Sequence, residues 1–263
     1  MLLLDLISSK NNPKIKETSK LFCSSKFRSQ NGLFVIEGLR LCVDAYKSGV
    51  KIKTVFVTES FLNKSDKEIR EVINSAAESY VVTSQVMLHI SDTVSPQGIV
   101  CVCENINPVF EACDNCRIIS LFNVADPSNL GTISRTAEAF GINAMIVCGG
   151  CDIYNPKALR ASMGAIFRLP IITFSEDEAF EFFEKNHIKS YASTPRNDAK
   201  HVTDIAFDGK TSVLIGNEAN GLPDSVINKC DQAITIPMNG RAESLNAAAA
   251  ASVLMFEMVR GDL

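Results

Sequence analysis

Leu214-Ile215-Gly216-Asn217-Glu218-Ala219-Asn220-Gly221-Leu222 decides the reading of this chain, together with its continuation Ile234-Thr235-Ile236-Pro237-Met238-Asn239-Gly240-Arg241-Ala242-Glu243-Ser244-Leu245-Asn246. The apolar run from Thr211 to Gly216 reads as a buried strand of a parallel sheet that stops on a glycine, with an amide and a carboxylate directly behind it. A second run, Ala233 to Ile236, stops on Pro237 and Gly240. Ser244 and Asn246 follow at the mouth of a long alanine-rich helix expected over residues 244–258. Two strand ends therefore deliver glycines, polar side chains and one helix N-terminus, which is how open α/β sheets build a ligand crevice.

Working outward, strands are expected at Arg117 to Leu121, Ala144 to Cys148 and Ile188 to Ala192. Helices are expected from about Asn129 to Phe140 and around Asn155 to Met163. Strands alternating with helices imply a mainly parallel sheet with helices on both faces. The stretch Phe174 to Lys185 gives little signal. Upstream, Pro108 and three asparagines interrupt the pattern, so a linker is placed at residues 105–116, between a small α/β domain over 1–104 and a larger α/β domain over 117–263. In the small domain Ser8 to Pro13 open a helix whose buried face is Ile15, Leu21 and Phe22. Strands follow at Phe34 to Glu37, Val55 to Thr58, Tyr80 to Thr83 and Ile99 to Cys103, and helices at Leu39 to Lys47 and Lys67 to Ala77.

At 263 residues and 46% apolar, the chain is long enough for a well-buried core. Its longest apolar segment, Ala247 to Met255, is too short to span a bilayer, and Asp5 interrupts the first residues where a signal peptide needs an apolar stretch, so a cytoplasmic location is expected. Nine cysteines, mostly in apolar contexts, fit reduced buried thiols. The pairs Cys113/Cys116 and Cys148/Cys151 have the spacing of zinc ligands. A whole strand-loop-helix-strand unit separates them, so packing is the favoured reading and no metal is expected. The net charge of −4 argues against coating nucleic acid by bulk positive potential. Its distribution differs, because residues 1–28 hold six Lys/Arg against two Asp/Glu. Such a local patch binds phosphates, or it is the solvated face of an amphipathic helix.

One further stretch bears on chemistry: Asn123-Val124-Ala125-Asp126-Pro127-Ser128-Asn129-Leu130-Gly131-Thr132-Ile133-Ser134-Arg135, running on to Gly141. Asp126-Pro127 and Asn129 to Gly131 form a turn into a helix, whose free N–H groups attract anions. Arg135 lies two turns in, on the same broad face as Thr132 and Asn129. The plain structural alternative is an N-cap followed by a surface arginine. Gly141 to Gly150 lacks the spacing of a dinucleotide-binding loop.

Taken in order, these stretches resemble the three motifs of the SpoU (TrmH-type) RNA 2′-O-ribose methyltransferases. Residues 126–141 keep the first motif throughout. The second appears at 214–222 with Ala219 where glycine is usual, and the third runs from Ile236 to Ala250. Asn155 to Pro170 is similar to the family's loop and helix after the second strand. Ile7 to Arg28, Gly32 to Arg40 and Ser95 to Ile99 resemble its N-terminal substrate-binding domain.

The resemblance implies a deep trefoil knot in the C-terminal domain, a ribosomal protein L30e-like N-terminal domain and a homodimer whose sites borrow groups from the partner chain. It implies S-adenosyl-L-methionine bound against Thr194, Gly216, Asn217, Leu222, Ile236, Met238 and Leu245. Arg135 is implied as the catalytic residue, surrounded by Asn129, Glu218, Ser244 and Asn246. A guanidinium resists deprotonation, so Arg135 is expected to fix the target phosphate and stabilise the developing alkoxide rather than act as base. Glu218 has an equally good structural role, accepting backbone N–H groups. Lys10, Asn12, Lys14, Arg28 and Arg40 are the expected RNA contacts. Ribosomal RNA is the favoured substrate. A tRNA ribose methyltransferase, a catalytically silent RNA-binding or assembly factor, and a generic nucleotide-binding protein are the alternatives.

Overall fold

The computed structural model describes residues 4–64, 67–196 and 198–262. The chain divides into two compact units, one of residues up to 107 together with Tyr154–Arg160, the other of Pro108–Ile153 and Ala161 onward.

The first unit holds β1 (Asp5–Ile7), α1 (Pro13–Cys23), α2 (Ser25–Asn31), β2 (Leu33–Glu37), α3 (Leu39–Lys47), β3 (Ile52–Thr58), α4 (Glu59–Asn63), α5 (Lys67–Ser75), β4 (Glu78–Val82), α6 (Ser84–His89) and β5 (Ile99–Glu104). Its five-stranded sheet has the order β1-β4-β3-β5-β2. β5 runs antiparallel to β2 and β3, and the other pairs are parallel. Asn12 starts α1 by accepting the Lys14 N–H at 2.9 Å, with Pro13 in the first turn. Ile15 and Leu21 then pack against Val35, Phe56 and Val100. Tyr154 stacks on Phe34 with ring centroids 4.4 Å apart. Its hydroxyl accepts the Ile106 N–H at 2.7 Å, and Arg160 pairs with Asp92 at 2.7 Å. These contacts join Tyr154–Arg160 to the first unit, although in sequence the segment lies between β-strands of the second.

The second unit contributes β6 (Arg117–Phe122), α7 (Pro127–Ala139), β7 (Ala144–Cys148), β8 (Ile171–Phe174), α9 (Glu176–Asn186), β9 (Lys189–Ser193), β10 (Lys200–His201), β11 (Thr211–Ile215), α10 (Asp224–Ile227), β12 (Gln232–Thr235) and α11 (Ala247–Val259), with α8 (Pro156–Ser162) between β7 and β8. Its seven strands are all parallel, in the order β10-β12-β9-β11-β6-β7-β8. Parallel strands buried on both faces need continuous apolar runs, and every residue of β7 and β11 is buried. Because the strands are parallel, the ends of β6, β9, β11 and β12 emerge at one edge. The register fixes this alignment: Ile215 lies beside Leu121, and Ile234 beside Ser193.

The quiet stretch Phe174 to Lys185 is the end of β8 and helix α9. Ser175 accepts the Glu178 N–H while Glu178 accepts the Ser175 N–H, a capping box. Phe183 of this helix enters the core beside Phe122 and Leu222.

Candidate functional site

The site forms where β9, β11 and β12 end. Gly216 closes β11, and a Cβ there would stand 2.2 Å from the Gly221 carbonyl carbon and 2.3 Å from the Leu222 nitrogen. The chain turns back on itself so tightly that only glycine fits. Asn217 and Gly221 exchange backbone hydrogen bonds at 3.1 and 2.8 Å, and the Asn217 Oδ1 accepts the Ala219 and Asn220 N–H groups. Gly221 carries a positive φ of 66° and Ala219 does not. Position 219 therefore has no conformational need for glycine.

This turn is tied to the loop after β6. Asn217 Nδ2 donates to the Asn123 carbonyl at 2.9 Å. Glu218 accepts the N–H groups of Ala125 and Asp126, each at 3.0 Å, and the Asn129 amide at 2.9 Å. Loss of some hydration works to raise the pKa of Glu218, but the donors from Ala125, Asn129 and Asp126 together outweigh it and hold the carboxyl below its ordinary value. Asn246 Nδ2 donates to Asn129 Oδ1 at 3.0 Å, while Asn246 Oδ1 caps α11 by accepting the Ala248 and Ala249 N–H groups. One chain of hydrogen bonds thus joins the N-termini of α7 and α11 through Glu218, Asn129 and Asn246.

Thr194, Gly216, Asn217, Leu222, Ile236, Met238 and Leu245 all line one cavity of about 430 Å³, as do Glu218 and Ser244. Its volume suits a cofactor-sized molecule. Met238 and Leu245 are 37% and 41% exposed. Among the described residues, 238–245 make no backbone hydrogen bond to another part of the chain. Apolar side chains and free backbone groups around a cavity match a purine nucleoside, which offers a flat face and polar edges, so the residues present fit S-adenosylmethionine.

The expectation that Asn129, Thr132 and Arg135 share a face needs correcting. Asn129 is buried at 6% exposure and turns inward to Glu218, whereas Thr132 and Arg135 are exposed. Six residues along a helix amount to about 240° of rotation, enough to part Asn129 from Arg135. Arg135 is not among the residues lining the cavity. It lies on the outer face of α7, which packs beside α11: Ser252 Oγ reaches Thr136 Oγ1 at 3.5 Å, and the Phe140 and Phe256 rings are 6.0 Å apart. Ser244 is exposed and precedes α11, which begins three residues later than expected.

The RNA contacts separate as well. Arg28 is corrected outright: it is 3% exposed, and its Nη1 donates to the carbonyls of Leu21 at 2.6 Å and Phe22 at 3.1 Å. A cation at the last carbonyls of α1 satisfies the helix C-terminus, and a buried guanidinium does not reach phosphate. Asn12 is occupied as the α1 cap. Lys14 pairs with Glu78 at 2.5 Å and lies 5.3 Å from the Tyr80 ring centre. Lys10 and Arg40 are exposed.

Sequence reasoning missed Arg196, which lines the cavity and pairs with Asp224 at 3.1 Å and Asp198 at 3.4 Å. Its place just after Thr194-Pro195 was the available signal. The cysteine pairs do not converge: among the described residues no three metal-binding side chains come together. Burial pushes the Cys116 thiol up to about 11 and the Cys148 thiol up to about 12, so both stay protonated at neutral pH.

Residues 117–256 match the SpoU rRNA Methylase family, and residues 12–101 match the MRM3-like substrate binding domain. The chain belongs to the SpoU rRNA methylase family. It is 29% identical over 253 residues to the 23S rRNA (guanosine(2553)-2′-O)-methyltransferase RlmP of Bacillus subtilis, covering 96% of this chain and 98% of that protein. It is 28% identical to the 23S rRNA (uridine(2479)-2′-O)-methyltransferase of Streptomyces viridochromogenes, covering 95% and 90%. Among solved structures, the SpoU methyltransferase AviRb of Streptomyces viridochromogenes in complex with AdoMet superposes with a TM-score of 0.87 at 27% identity, covering 96% and 98%. An rRNA methyltransferase from Sinorhizobium meliloti gives 0.88 at 27%, covering 99% of each chain.

Proposed function

We propose that the protein is an S-adenosylmethionine-dependent RNA methyltransferase acting on a ribose 2′-hydroxyl, with 23S ribosomal RNA as its substrate. The observation that carries this reading is the gathering of all seven expected cofactor positions around one cavity at the sheet edge. Bound S-adenosylmethionine supplies a methyl group on a sulfonium. Ile236, Met238 and Leu245 would offer its nucleoside an apolar surface, and the missing Cβ at Gly216 keeps the turn close enough to wall the cavity. Glu218 and Asn129 fix the start of α7, setting the position from which Arg135 projects. Arg135 grips the target phosphate and stabilises the alkoxide as the hydroxyl proton leaves to phosphate or water.

A homodimer completes the site. Arg135 lies outside the cavity lining of its own chain, and Val253 and Phe256 of the neighbouring α11 are 38% and 41% exposed. A second copy docked on that face would supply an arginine from outside the chain that holds the cavity. Family membership supports a trefoil-knotted thread. The N-terminal unit takes the L30e-like role of binding RNA through Lys10 and Arg40, a reading supported by its match to a substrate binding domain. A cytoplasmic location accords with that substrate, and among the described residues no helix is long and apolar enough to cross a membrane. Calorimetry tests the cofactor assignment: S-adenosylmethionine and its demethylated product bind and nucleoside triphosphates do not, whereas the reverse result overturns it.

A further inference from the structure

We propose that Arg196 binds the carboxylate of the methionine end of the cofactor and that Asp224 beside it receives the α-ammonium. This rests on S-adenosylmethionine being the ligand of the cavity. That molecule carries one anionic group, the carboxylate, and two cationic groups, the ammonium and the sulfonium. Among the described residues lining the cavity Arg196 is the one Lys or Arg, and the acids are Glu218, Asp224 and Glu243. Glu218 is already committed to Ala125, Asp126 and Asn129, so it is a poor partner for a mobile ammonium. Arg135 lies outside the lining of its own chain's cavity and is assigned to the target phosphate, so the cofactor carboxylate is left to Arg196.

Arg196 is also held ready. It follows Thr194-Pro195 directly after β9, and Thr194 is fixed by a 2.9 Å hydrogen bond from its N–H to the Ile234 carbonyl. Two aspartates engage the guanidinium, one at Nη1 and one at Nε. A guanidinium has five N–H donors in a planar fork, so donors remain for a third carboxylate. Asp224 shares the cavity wall with Arg196, and an ion pair presents adjacent positive and negative groups, the complement of an α-amino acid. The adenosine part needs no charge for its recognition. Discrimination between the full cofactor and its uncharged nucleoside fragments therefore falls to this pair.

The test is calorimetry on the wild-type protein, Arg196→Gln and Arg196→Lys with S-adenosylmethionine, decarboxylated S-adenosylmethionine and 5′-methylthioadenosine. A hydrogen bond to a charged group corresponds to roughly tenfold to a hundredfold in affinity, so wild type is expected to prefer the full cofactor over the decarboxylated one by that factor. In Arg196→Gln the preference vanishes, Arg196→Lys recovers part of it, and 5′-methylthioadenosine binds all three proteins alike. A preference retained in Arg196→Gln overturns the assignment. So does an equal loss of all three ligands, which marks a structural residue, or lost RNA methylation at unchanged cofactor affinity, which marks a phosphate contact. Failure of the wild type to bind S-adenosylmethionine at all instead overturns the cofactor reading beneath it.

Discussion

Replacing Glu218 by alanine removes the acceptor of three hydrogen bonds, from Ala125, Asp126 and Asn129. In a buried setting each bond to a charged group contributes roughly 1.5–3 kcal/mol. Glu218 is exposed, so solvent screening reduces each to about 0.5–1 kcal/mol. The sum is about 2 kcal/mol, and a unit of this size then melts about 4–8 °C lower. Glu218→Gln keeps one acceptor and loses about half as much. The pH dependence has a definite sign. The folded-state pKa lies below the unfolded one, so the stabilisation is full above the unfolded value and disappears as pH falls through the folded value. Melting curves of wild type and Glu218→Ala should differ by this amount at pH 7 and converge only as the pH falls below the ordinary range of a glutamate carboxyl. Equal melting temperatures at pH 7 with methyl transfer abolished would refute the structural role and make Glu218 a chemical group.

Three further outcomes follow from the geometry. Arg135→Ala should bind S-adenosylmethionine as tightly as wild type while methyl transfer falls by about a thousandfold; calorimetry and a transfer assay on the same sample check it, and retained turnover removes Arg135 from the mechanism. Arg28→Ala should destabilise the N-terminal unit by about 2–3 kcal/mol by leaving buried carbonyls unpaired, whereas Arg40→Glu should leave melting unchanged and reduce the salt slope of RNA binding by about one; denaturation and salt-titrated binding separate the two. Gly216→Ala should abolish cofactor binding, because its Cβ meets backbone that cannot yield, while Ala219→Gly should bind normally and lose only about 0.5 kcal/mol of stability.

The cavity was legible because its ingredients are local. Apolar runs stopping at Gly216 and Pro237 announce strand ends, and in a parallel sheet those ends must share an edge. The inward turn of Asn129 and the outward turn of Arg135 were not legible, since both are polar and only packing against Glu218 and Asn246 tells them apart. Arg28 misled for a related reason. A basic residue in a basic stretch reads as surface until the carbonyls at the end of α1 are seen to need a donor. Helix α9 did carry a signal, the Ser175/Glu178 capping box, but Phe180, Phe182 and Phe183 crowd its apolar stripe and blur the helical period. Arg196 was hidden by sequence distance, because its partner Asp224 belongs to another strand connection.

Methylation of a ribose 2′-hydroxyl in 23S ribosomal RNA can be read out on the RNA itself. The most direct measurement supplies purified protein with methyl-labelled S-adenosylmethionine and ribosomal RNA from cells lacking the gene, then maps positions resistant to alkaline cleavage. One newly resistant position in 23S RNA, dependent on Arg135, is the expected result. Label on a base, label only in transfer RNA, or cofactor binding without any transfer would contradict it.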